Sequence, residues 1–157
     1  MSTIAPPSNP EADPRVKAVF DDIRATRSSD FINNLWHYLA FDPALLESVW
    51  REVKAVMATP GSLDPLTKEL VYAAVSIANS CSYCVHSHTA AARKLGMSDE
   101  QHAEFLQVVS LAARTNHLLN GLQIPIDEPF DKERSARHAR PVTGQQRTTH
   151  KTQGWSG

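Results

Sequence analysis

The stretch Asp64–His88, DPLTKELVYAAVSIANSCSYCVHSH, decides the fold. Asp64 is an N-capping carboxylate and Pro65 suits the first helical position, where its missing N–H costs nothing. Leu66, Leu70, Ala73, Ala74 and Ile77 then recur at intervals of three and four, one face of a helix. Ser80 reads as the cap of a second helix that begins at Cys81, after almost no loop. Two helices joined so tightly fold back on each other as an αα-hairpin.

The same punctuation runs outward from this hairpin. Asp13-Pro14 and Asp42-Pro43 repeat the Asp-Pro start, and Asp30 and Ser98 are further N-cap candidates, Ser98 with Gln101 three residues on as in a capping box. Gly61, Gly96 and Gly121 stand where helices are expected to stop. Phe105, Leu106, Val109, Ala112 and Ala113 form a second helical face, and no stretch alternates with the period of a strand. The reading is six helices, over 14–27, 31–40, 43–57, 65–79, 81–95 and 99–120. The class is all-α, a single-domain helical bundle spanning residues 13–130. Trp36, Trp50, Phe31 and Leu35 are expected in its core, and His37, His102 and His117 read as structural.

The flanks have a different character. Residues 1–12 are small, polar and Pro-rich, a flexible arm; residues 131–157 hold only Val142 and Trp155 as large apolar groups, too few to offset the cost of ordering. That tail carries six Lys/Arg against two Asp/Glu, so residues 1–130 have ten against fifteen, or −5. The whole chain is near neutral, with 16 Lys+Arg and 17 Asp+Glu among 157 residues, which argues against nucleic acid or a membrane surface as partner. The longest apolar run, Leu70 to Val75, is far too short to span a bilayer, and the first 30 residues hold no signal-peptide core. A cytoplasmic protein is expected.

Both cysteines of the chain, Cys81 and Cys84, lie in the corner as C-x-x-C, which in a cytosolic chain reads as chemistry or metal binding. A helix N-terminus favours thiolate and can lower a cysteine pKa from ~8.5 into the range ~3.5–7.5. At ~100° per residue, Cys81 at 0° shares a face with Cys84 at about −60° and His88 at about −20°, whereas His86 falls near 140° and points away. The i,i+3 spacing brings the Cα atoms within the ~4.4–6.8 Å that a disulfide tolerates. Glu69 lies ten residues before Asn79 and His88 nine after it, so rises of ~15 and ~14 Å set them at one height across the hairpin. A Glu69–His88–cysteine relay follows, in which Glu69 holds His88 and His88 takes the thiol proton. Two inert buried cysteines, or a zinc site on Cys81, Cys84 and His88 with a fourth ligand from elsewhere, are the alternatives. Haem attachment is excluded because Val85 follows Cys84, and no βαβ pattern suggests a thioredoxin fold.

At these residues the chain resembles the alkylhydroperoxidase D-like proteins, the C-x-x-C branch of the carboxymuconolactone decarboxylase superfamily. The shared pattern is a Glu, eleven residues, C-x-x-C, three residues and a His, here Glu69, Cys81, Cys84 and His88. Asp42-Pro43-Ala44-Leu45-Leu46, Leu63-Asp64, Lys68-Glu69-Leu70 and Gly96-Met97-Ser98 add to it, and the likeness covers roughly residues 31–127. It implies an all-helical homo-oligomer, trimer or hexamer, and thiol-dependent reduction of hydroperoxides, or disulfide exchange with lipoyl- or peroxiredoxin-type dithiol donors. No bound cofactor or metal is expected. The best-described members carry a His just before the second Cys; Tyr83 stands there in this chain, as the possible relay group. The decarboxylase branch lacks the cysteine pair, so lactone decarboxylation is not expected. The alternatives are a disulfide reductase or adaptor without peroxidase turnover, and a metal-binding or redox-sensing helical module.

Overall fold

The computed structural model describes residues 2–131 and, among them, six α-helices and no strand. They are α1 (Pro14–Arg27), α2 (Asn34–Leu39), α3 (Pro43–Val53), α4 (Pro65–Ala78), α5 (Ser82–Lys94) and α6 (Asp99–Leu122). The all-α class is therefore as expected. The backbone divides between Ala113 and Arg114 into two compact units. The tail expected over 131–157 lies, beyond Asp131, outside the described residues. No helix among them is long and apolar enough to cross a membrane.

The Asp-Pro starts work as local chemistry requires. Asp13, Asp42 and Asp64 each accept amide hydrogen bonds from the first turn of the helix that follows, with Pro at its start. Ser98 and Gln101 exchange reciprocal hydrogen bonds, Ser98 N to Gln101 Oε1 at 2.9 Å and Gln101 N to Ser98 Oγ at 3.1 Å, a completed capping box. Gly96, at φ +97°, ends α5 with Met97 N donating to Ala92 O.

In the first unit, α1 packs against α3, and Val16, Val19, Phe20 and Ile23 meet Ile32, Trp36, Leu46 and Trp50 in one core. The two indoles cross edge to face at 5.4 Å. The hairpin α4–α5 stands on small residues: Ala73 and Ser76 of α4 and Ala92 of α5 are buried, which lets the backbones approach closely. The buried Ser76 hydroxyl donates to Tyr72 O at 2.8 Å, so no polar group is stranded there. Ahead of α1, Pro10–Ala12 forms a 3-10 turn, and Glu11 pairs with Arg24. The second unit, over its described residues, contains the end of α6 and a 3-10 turn at Glu128–Phe130.

Several expectations are corrected. Helix α2 starts at Asn34 and not at residue 31, so Asp30 caps nothing and Phe31, 69% exposed, precedes the helix instead of entering the core. Leu35 falls on the outer side of this short helix and is exposed, while Trp36 next to it is buried. α3 ends at Val53 and continues as a wider π turn, Lys54–Ala58, closed by extended Thr59, so Gly61 terminates no helix. Gly121 lies inside α6; the left-handed position after the helix is taken by Gln123 at φ 51°. The face Phe105 to Ala113 includes no buried residue, and Leu106 is 43% exposed.

Candidate active site

The site grows from how α4 ends. Ser80 adopts the left-handed conformation, φ 57°, with Ser80 N donating to Ile77 O at 3.1 Å and Cys81 N to Ser76 O at 2.9 Å. These are the two hydrogen bonds of a Schellman end, with Ser80 where glycine is usual. The expected cap is thereby corrected: Ser80 finishes α4, and Cys81 caps α5, its Sγ accepting from Cys84 N at 3.4 Å. Ser80 closes one helix and its neighbour Cys81 opens the next, which is why the corner is so short.

Cys81 and Cys84 are joined by a disulfide, Cα to Cα 5.4 Å. In this form neither sulfur is a thiolate that a metal could bind. Among the described residues no group of three or more His, Cys, Asp or Glu side chains converges as a metal site. Cys84 lies in the first turn of α5 and is half-buried.

One turn further, His88 Nδ1 meets Glu69 Oε2 at 2.5 Å across the hairpin. Both side chains are largely shielded, 21% and 16% exposed. The hairpin thus brings Glu69 of α4 to His88 of α5, the helix that carries Cys84 and is capped by Cys81. His86, on the opposite side of α5, is exposed. Tyr83 sends its hydroxyl to the start of α2, where it accepts from Leu35 N at 3.2 Å.

Three residues had not been singled out from the sequence. Tyr72 stacks on the His88 ring, centroids 3.7 Å apart and planes 21° off parallel, so the imidazole is fixed in plane as well as in position. Its signal was available: Tyr72 is i+3 from Glu69 and shares its side of α4. Arg27 lies 5.6 Å from both the Trp36 and Trp50 rings. Desolvation lowers the Arg27 pKa, opposed by the charges of Glu69 and Tyr83, so this cation belongs to the electrostatic surroundings of the site. Lys68, next to Glu69, faces a cavity of about 410 Å³ that Cys81 and Cys84 also line. Its walls are mainly apolar, Val71 and Val75 among them.

Comparison with known proteins places this geometry in context. The family model described as "Carboxymuconolactone decarboxylase family" matches residues 43–127. The crystal structure of the alkylhydroperoxidase AhpD core from Rhodospirillum rubrum is 60% identical and superposes with a TM-score of 0.80, covering 83% of this chain and 97% of that one. "Uncharacterized protein 4 in cox locus" of Paracoccus denitrificans is 30% identical over 67 residues, 43% of this chain; the match spans 60% of that relative's length.

Proposed function

The chain belongs to the carboxymuconolactone decarboxylase family, and from that membership and its cysteine pair we propose that it is an antioxidant thiol–disulfide oxidoreductase that reduces hydroperoxides. The observation that carries this reading is the Cys81–Cys84 disulfide one helical turn from a His88 paired to Glu69. The likeness to a protein described as an alkylhydroperoxidase supports it.

The cycle starts from the dithiol. His88, held by Glu69 and Tyr72, takes the Cys84 proton, and the first-turn amides of α5 stabilise the thiolate. Cys84 Sγ attacks the terminal peroxide oxygen; the O–O bond breaks, the alkoxide leaves as alcohol with a proton, and Cys84 becomes a sulfenic acid. Cys81 Sγ then attacks the sulfenic sulfur, forming the disulfide and releasing water. Two electrons have passed from the thiols to the peroxide. An external dithiol, lipoyl- or peroxiredoxin-type, restores both thiols by exchange. Tyr83, in the position before Cys84, holds its hydroxyl at Leu35 N and outside the cavity lining, so the leaving oxygen's proton is assigned to the His88 imidazolium. A homotrimer or homohexamer in the cytoplasm is part of the same reading.

Stopped-flow mixing of the reduced protein with tert-butyl hydroperoxide, with and without dihydrolipoamide, tests it. Loss of two thiols per chain and sustained turnover with the dithiol are expected. Thiols oxidised by disulfides but inert to peroxide would instead mark a disulfide reductase or adaptor.

A further inference from the structure

The cavity beside the disulfide is a groove laid along one stripe of α4. Lys68, Val71, Tyr72, Val75 and Asn79 follow at i, i+3, i+4, i+7 and i+11, with the cysteine pair beyond the last of them. Val56, Met57 and Leu63 line it from the preceding segment. Val56, Leu63, Val71 and Val75 are each more than half exposed and gather around this one concavity.

Lys68 is the single charged side chain of the lining. Its Nζ donates to Thr59 O at 2.8 Å, and among the described residues no carboxylate pairs with it. Lys68 as a residue is half-buried and its neighbours in the lining are apolar, so an anionic group on whatever fills the groove finds its one charge partner there. From Lys68 to Asn79 the helix rises ~16 Å, the length of an extended chain of about a dozen carbons.

We propose that the groove selects amphipathic hydroperoxides of the hydroperoxy fatty acid type, with the carboxylate on Lys68 Nζ, the alkyl chain along α4 and the peroxide at the Cys81–Cys84 end. This rests on the peroxide-reducing reading and adds its substrate class. The reaction converts the bound hydroperoxide to the hydroxy acid and water while the two thiols become the disulfide. The carboxylate is unchanged, and the external dithiol of the cycle supplies the next two electrons.

The test compares an octadecadienoic acid 13-hydroperoxide with its methyl ester, in the wild type and in Lys68→Met, with tert-butyl hydroperoxide as the chainless reference. The readout is the acid-to-ester ratio of kcat/KM within each protein, which is insensitive to a change in active fraction. In the wild type the acid is favoured by about 10- to 100-fold, the range of one hydrogen bond between charged groups, and in Lys68→Met the ratio falls to about one. A wild-type ratio near one, or a ratio that survives the substitution, overturns the proposal. Absence of turnover with every peroxide, tert-butyl hydroperoxide included, is failure of the peroxidase reading instead. The groove is then judged by calorimetry on the oxidised protein: dodecanoate binding more tightly than dodecanamide, and losing that advantage in Lys68→Met, supports it. Equal binding, or none, overturns it.

Discussion

Glu69→Gln is the sharpest perturbation of the site. It keeps the side chain's length and a hydrogen-bonding group at His88 Nδ1 but removes the negative charge that faces the ring. With Nδ1 and Oε2 at 2.5 Å, the carboxylate lies ~4 Å from the charge that develops on the ring as it takes the thiol proton, and at an effective dielectric of ~20 that attraction is ~4 kcal/mol. The shielding of both side chains, 16% and 21% exposed, keeps bulk water from screening it much further. A neutral hydrogen bond retained by Gln returns ~1 kcal/mol. At ~1.4 kcal/mol per factor of ten, peroxide reduction falls ~10²–10³-fold, inside the ~10²–10⁴ range of general acid–base assistance. The assay is tert-butyl hydroperoxide consumption with dihydrolipoamide, paired with thermal melting by circular dichroism on the same preparation. Lost activity with an unchanged melting temperature is expected. Near-normal activity would make Glu69 a bystander, and lost stability with a fully active folded fraction would make it structural; either refutes the relay.

Other perturbations bear on the frame around that pair. His88→Ala slows alkylation of the reduced cysteines at neutral pH by at least ~10-fold, whereas exposed His86→Ala stays near wild type; equal effects would contradict the helix phase. Ser80→Gly relieves the left-handed serine at the end of α4, and its gain of ~0.5–1 kcal/mol is read from denaturant midpoints. Lys54 first, then the Trp50 indole, hold the Asp22 pKa below its ordinary 3.8. The stability this contributes is complete above that ordinary value and is lost as pH falls through the lowered one. Asp22→Asn therefore flattens the acid limb of a stability–pH curve and costs about 1 kcal/mol at pH 7, a modest sum because the carboxylate is partly solvated. Light scattering at micromolar concentration is expected to give a multiple of 17.3 kDa; a monomeric mass removes the oligomer from the proposal.

What could be read in advance follows from how local each feature is. The Asp-Pro caps at Asp13, Asp42 and Asp64 each act within three residues, so the helix starts were legible without tertiary information. The meeting of Glu69 and His88 was legible for a related reason: a corner this short leaves the hairpin only one register, and counting rise along both arms sets the two side chains level. Features that depend on a choice among local solutions were not. Ser28, Ser80 and Gln123 take left-handed positions where glycine is the usual signal, so Gly61 and Gly121 pointed to ends that fall elsewhere. A three-residue delay in the start of α2 was enough to put Phe31 outside the core and to leave Asp30 without a helix to cap. The stacking of Tyr72 on His88 and the placement of Arg27 over two indoles need the rotation of one element against another, which spacing does not specify. The same division separates the proposed reacting groups from the groove. Glu69 through His88 is one continuous hairpin of 20 residues, and the intervals within it carry the site. Val56, Met57 and Leu63 line one cavity with the cysteines, with the π turn after α3 packed against α4. A motif written within a hairpin is visible in the sequence; a groove assembled from its neighbours becomes visible only once they have packed.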